Sequence, residues 1–188
     1  MANRTEIRVA GFGGQGVILC GMIIGKAASI FGGRHATLIQ SFGPEARGSA
    51  CSAQVTIADS VVDYPYIKQP DLLISMSPDA QTLFAPQVKP GGLILFESDL
   101  VTPAAPSNGT RLAGIPAARI AEEIGRRMIM NIVMVGFFAQ VTQLISREAF
   151  EKAVRDSVPP GTEEVNLMAF KRGYEYGTTR NGETKAAP

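Results

Sequence analysis

The stretch that most constrains this chain is residues 7–33, IRVAGFGGQGVILCGMIIGKAASIFGG. A short apolar run enters a cluster of four glycines, Gly11, Gly13, Gly14 and Gly16. A helical pattern follows: Val17, Ile24 and Phe31 recur at seven-residue spacing, with Cys20, Ala27 and Ala28 at neighbouring positions, as on the buried face of a helix. A strand, a glycine turn and a helix in that order fit the first unit of an α/β nucleotide fold. The GxGxxG spacing has a mechanism. The first glycine permits a tight turn off the strand, the second lets a phosphate approach the backbone, and the third lets the helix pack close to the sheet. The free N–H groups of the helix start then favour an anion. A turn that serves only close packing would use the same glycines, so both readings stand at this point.

An NAD site makes a second demand, an acidic residue about twenty positions on that holds the ribose hydroxyls. Between Glu6 and Glu45 there is no Asp or Glu, and the second apolar run ends in LIQSF. The turn keeps its phosphate logic and lacks the NAD logic, which argues against a stand-alone dinucleotide-dependent oxidoreductase. A different phosphate-bearing ligand is the better expectation.

The rest of the chain extends the pattern. Strands are expected at 6–12, 35–42, 51–59, within 70–77, and at 93–99, with helices at 16–31 and 78–88 between them. Residues 111–125 read as a strand, a turn and a helix. An apolar helix follows from about Asn131. Ser146 and Thr162 stand where caps belong, ahead of helices over 147–158 and 163–176. Strands alternating with helices predict an α/β, Rossmann-like layered fold with a largely parallel central sheet and a helical C-terminal third. With 188 residues, we expect one domain over residues 1–176 and a loose polar tail over 177–188.

Composition narrows function. A net charge of +1 with scattered basic residues gives no reason to expect nucleic acid or an anionic membrane as partner. MANRTEIRVAG lacks the apolar core of a secretory signal. The run 128–145, MIMNIVMVGFFAQVTQLI, is interrupted by Asn131, Gln140, Thr142 and Gln143, so it reads as a core or partner-facing helix rather than a membrane span. Cys20 and Cys51 are the only cysteines, too few for an iron–sulfur cluster held by this chain alone. A reducing, cytoplasmic setting is expected.

A second loop, SFGPEARGSACS, follows the second expected strand, taken as parallel. Ligands gather at strand C-termini in such sheets. Arg47 has the shape to clamp a phosphate or carboxylate; a local pair with Glu45 on a surface turn explains it equally well. The single histidine, His35, has no candidate partner near it in sequence. Cys51 reads as a small strand residue, and Met128, Met130 and Met134 as core filler. No catalytic group and no metal site is expected on this chain.

Together, GFGGQGV, SFGPEARG, VDYPYIKQPDLLISMSPDA, GIPAARIAEEIG, NIVMVGFFAQ and NLMAFKRG resemble, in order, the gamma subunit or gamma domain of the thiamine-diphosphate-dependent 2-oxoacid:ferredoxin (acceptor) oxidoreductases. The DYP…PDLL segment is most similar to the 2-oxoglutarate branch. The resemblance implies an enzyme subunit, inactive alone, in a complex that oxidatively decarboxylates a 2-oxoacid with coenzyme A to an acyl-CoA and CO2 and passes electrons to ferredoxin. It implies CoA at or near this chain. It places thiamine diphosphate with its Mg on the alpha and beta subunits, and iron–sulfur clusters on the beta subunit, a delta subunit or a fused domain. Gly11, Gly13, Gly14, Gln15 and Gly16 match the family's glycine loop. Gly43, Pro44, Glu45, Arg47 and Gly48 match its second loop, with Ser49 where many members have glycine. Of these, Gly11, Gly13, Gly14, Gln15, Gly16, Glu45, Arg47 and Gly48 are the expected CoA-binding residues. Asn131 matches the asparagine that opens the late helix. Another 2-oxoacid, or a non-catalytic CoA- or nucleotide-binding module, remains as an alternative.

Overall fold

Strand β1 (Arg4–Phe12) sets the frame. Ile7 and Val9 are fully buried on one side of it, Arg8 and Ala10 are buried on the other, and a strand covered on both faces is what an α/β sandwich requires. The computed structural model describes residues 4–42, 50–104 and 108–180. Among them β1, β2 (His35–Phe42), β3 (Ala50–Ala58), β4 (Leu72–Ser75), β5 (Leu93–Glu97) and β6 (Arg111–Ile115) form one sheet in the order β2-β3-β1-β4-β5-β6. The pairs β1–β4, β4–β5 and β5–β6 are parallel. β3 is antiparallel to both of its neighbours, β1 and β2. The expected largely parallel sheet is present, with one correction: β3 runs against the rest and stands between β1 and β2. A parallel crossover takes a dozen residues or more, and the connection over 43–49 is too short for one. β2 nevertheless points the same way as β1, so its C-terminal end lies at the same edge of the sheet.

The helices are α1 (Val17–Ser29), α2 (Pro78–Phe84), α3 (Ala117–Glu123), α4 (Met130–Thr142), α5 (Arg147–Ser157) and α6 (Glu163–Arg180). All but α2 pack on the face that presents Ile7, Val9, Ile74 and Leu95. The opposite face carries α2, around Ala10, Leu73 and Ile94, and the irregular segment after β3. That segment is held by hydrogen bonds: Arg8 Nη2 donates to the Ile67 carbonyl (2.7 Å), and the Ile67 N–H donates to Gln54 Oε1 (2.7 Å). Arg8 also lies 4.7 Å from the centre of the Phe84 ring.

α4 is the centre of the apolar side. Every residue from Met130 to Gln140 is buried. It crosses α6 at backbone contact: a Cβ built on Gly136 would lie 2.0 Å from the Phe170 carbonyl oxygen, and one on Gly173 would lie 2.0 Å from that of Val133. Of the expected loose tail over 177–188, residues 177–180 are the last turn of α6, and 181–188 lie outside the described residues. A Cβ on Gly177 would come within 2.9 Å of Gln140, so a glycine here continues the packing rather than ending the helix. Met130 and Met134 are core as expected, but Met128 is 85% exposed, because it falls in a short 3-10 turn ahead of α4. Ser146 caps α5 through the Ala149 N–H (3.2 Å). The Thr162 hydroxyl donates to the Pro159 carbonyl and accepts from the Asn166 amide. Among the described residues no helix is long and apolar enough to cross a membrane.

Candidate functional site

The topology collects one set of ends. β1, β4, β5 and β6 all finish at the same sheet edge, and β2 finishes there too. The second loop therefore starts and ends beside the glycine turn, since Phe12 pairs with Ala50 and Cys51 with Phe42. Its residues Gly43, Pro44, Glu45, Arg47 and Gly48 lie outside the described residues.

The glycine turn is built from inside. The Gln15 N–H returns to the Phe12 carbonyl (3.2 Å). The Gln15 side chain accepts from the Phe12 N–H (2.7 Å) and donates to the Met76 carbonyl (2.9 Å). It thus sews the turn to the end of β4, across the boundary where the sheet order reverses around β1, the place where ligands bind in open α/β sheets. Gly11 makes room for this staple, because a Cβ there would lie 2.5 Å from Gln15 Oε1. The matched glutamine is therefore occupied by the turn's own backbone. Gly14 has φ 96° with nothing within 4 Å of a built Cβ, so its backbone faces open space. Gly16, at φ 72°, is the N-cap of α1.

That N-terminus has no side-chain cap and no acidic residue in its first turn. The first N–H groups of a helix have no intrahelical partner, and their dipoles sum to a partial positive charge. Asn131, at the start of α4, closes the far side: it is 2% exposed and its Nδ2 donates to the Gly16 carbonyl (3.3 Å).

Sequence reasoning missed Glu97. It ends β5 at this same edge, is fully buried, and accepts from the Leu100 N–H (2.6 Å) and the Ala118 N–H (3.2 Å). Burial pushes its carboxyl above the usual range, against the pull of those N–H groups. The available signal was an acid closing an otherwise apolar strand, LILFE. Cys20 is fully buried, with its thiol pushed up to about 12 by burial, and Cys51 is shifted the same way. Neither is poised as a thiolate. His35 lies exposed at the start of β2. Among the described residues no three metal-ligating side chains gather. This edge offers backbone recognition of an anion.

The pyruvate ferredoxin/flavodoxin oxidoreductase family matches residues 6–176. The 2-oxoglutarate synthase subunit KorC of Methanothermobacter thermautotrophicus is 47% identical, with the match covering 92% of this chain and 94% of that one. The gamma subunit of a keto/oxoacid ferredoxin oxidoreductase from Geobacter sulfurreducens PCA superposes with a TM-score of 0.85 at 38% identity, covering 95% of this chain and 98% of that one. The 2-oxoglutarate:ferredoxin oxidoreductase of Magnetococcus marinus, solved with 2-oxoglutarate, coenzyme A and succinyl-CoA bound, shares the fold: TM-score 0.84 at 22% identity, over 98% of this chain and 32% of that one.

Proposed function

The chain belongs to the pyruvate ferredoxin/flavodoxin oxidoreductase family, and from that premise we propose that it is the gamma subunit of a cytoplasmic, CoA-dependent 2-oxoglutarate:ferredoxin oxidoreductase. The substrate assignment rests on the KorC relatives, 45–47% identical in three archaea. The reaction joins 2-oxoglutarate and CoA to give succinyl-CoA and CO2, with two electrons leaving to ferredoxin. Thiamine diphosphate, Mg and the iron–sulfur clusters belong to the alpha and beta subunits, or to a delta subunit. This chain binds and orients. The turn formed by Gly11, Gly13, Gly14, Gln15 and Gly16 receives a CoA phosphate on the N–H groups of α1, and the adjoining loop with Glu45, Arg47 and Gly48 completes the grip.

The observation that carries this reading is the uncapped start of α1 behind an open Gly14. The test has two arms. Mild affinity purification of the chain from its host should bring thiamine-diphosphate and iron–sulfur subunits with it, and the eluate should reduce a viologen dye with 2-oxoglutarate and CoA in preference to other 2-oxoacids. In that complex, Gly14→Val should raise the KM for CoA about tenfold or more, the loss of roughly 1.5–3 kcal/mol of charged hydrogen bonding. A chain that elutes alone, or a Gly14→Val complex with unchanged CoA saturation, would remove the respective half of the proposal.

A further inference from the structure

The glycine turn is fixed from a third direction, and that contact is a polar one in an apolar place. Asn131 is 2% exposed within a helix whose first eleven residues are all buried. Its carboxamide lies directly against Gly16: a Cβ built there would meet Nδ2 at 2.4 Å and Cγ at 2.6 Å. Nδ2 donates to the Gly16 carbonyl, the same oxygen that accepts the first α1 bond from the Cys20 N–H (2.9 Å). The amide thus meets the carbonyl at which α1 starts.

What it does to Gly16 follows from the geometry. Gly16 holds φ 72° and is the residue after which α1 begins. Fixing its carbonyl fixes the direction in which the next N–H groups leave. The support is rigid, because α4 is locked on α6 by the backbone contacts at Gly136 and Gly173. We propose that Asn131 is a positioning residue, which anchors the glycine turn to the α4–α6 pair and thereby aims the start of α1 at the phosphate. It sets how tightly CoA is held and not how fast it reacts. This rests on the phosphate reading of the turn.

The test uses the assembled oxidoreductase. Asn131→Leu keeps most of the volume and removes the donor; Asn131→Ser, a milder change, serves if the first fails to assemble. Amide exchange over residues 12–19 is measured without CoA, and CoA kinetics separately. We expect faster exchange in that peptide, a KM for CoA raised about fivefold or more, and kcat at saturating CoA within about twofold of the parent. Unchanged exchange and unchanged KM, with only a lowered melting temperature, would make Asn131 a packing residue and overturn the proposal. Faster exchange with an unchanged KM would keep the anchoring and overturn the CoA reading of the turn instead. A fall in kcat with KM unmoved would overturn the assignment of Asn131 to CoA affinity.

Discussion

Two helices begin at the same edge of the sheet, and their starts are treated in opposite ways. At α3 the protein supplies its own acceptor: buried Glu97 accepts the Ala118 N–H and ties in the Leu100 N–H of the preceding turn. At α1 there is no acid and no side-chain cap, only Gly16 and, ahead of it, the open backbone of Gly14. An unmet N–H deep in a protein is expensive, so the start of α3, which is covered, must be capped from within. The start of α1 lies at the ends of the paired strands β1 and β4, behind a Gly14 whose built Cβ meets nothing among the described residues. The difference separates a self-satisfied terminus from one suited to a ligand.

Filling or emptying either start should expose this contrast. The largest effect is expected at α3. Glu97→Ala strips the acceptor from two N–H groups, each costing about 1–3 kcal/mol when buried and unmet, so urea unfolding should show a loss of several kcal/mol. A loss under about 0.5 kcal/mol, the range of an ordinary surface change, would mean that water satisfies α3 as well, and the contrast would fail. Next come the two positive-φ glycines at α1. Gly14→Ala should cost about 1–2 kcal/mol for the left-handed backbone alone, because its Cβ meets nothing. Gly16→Ala should cost more, since its Cβ collides with Asn131. The excess should shrink in the double variant with Asn131→Ala; a strictly additive pair would show that the amide does not bear on the turn.

The smallest expected effect is a pH slope. The Glu97 carboxyl is raised by burial, so the folded chain holds that proton more tightly than the unfolded one. Stability from this group is full below the ordinary carboxylate range and falls as pH rises through the raised value. Melting curves from mildly acidic to neutral pH should show this decline in the parent and lose it in Glu97→Gln. An identical slope in both would assign it to other groups.

Much of this was legible in the residues. The apolar run into GFGGQG predicted a strand, a turn and a helix, and β1 and α1 occupy those positions. Of the positions picked by spacing, Val17, Cys20, Ile24, Ala27 and Ala28 are buried, and Phe31, past the end of α1, is half-buried. Such features follow from short-range periodicity, which a sequence carries openly. The direction of β3 was not legible, because antiparallel and parallel strands read alike until the length of the connection is weighed against the neighbour it must reach. A polar terminal stretch from Gly177 reads as loose; the packing of Gly177 against Gln140 on another helix cannot be seen along the chain.

The same division holds at the site. By itself the sequence determined a glycine turn between a strand and a helix, the absence of the acid that NAD needs, and the family to which these motifs belong. Only the tertiary structure decided what each residue does there. It spent Gln15 on Phe12 and Met76, set Glu97 at the start of α3, and brought Asn131 onto Gly16 from 115 positions away. Local pattern records what a residue prefers. Its partner is fixed by which elements the closed sheet and the α4–α6 contact bring together, and that depends on the whole chain.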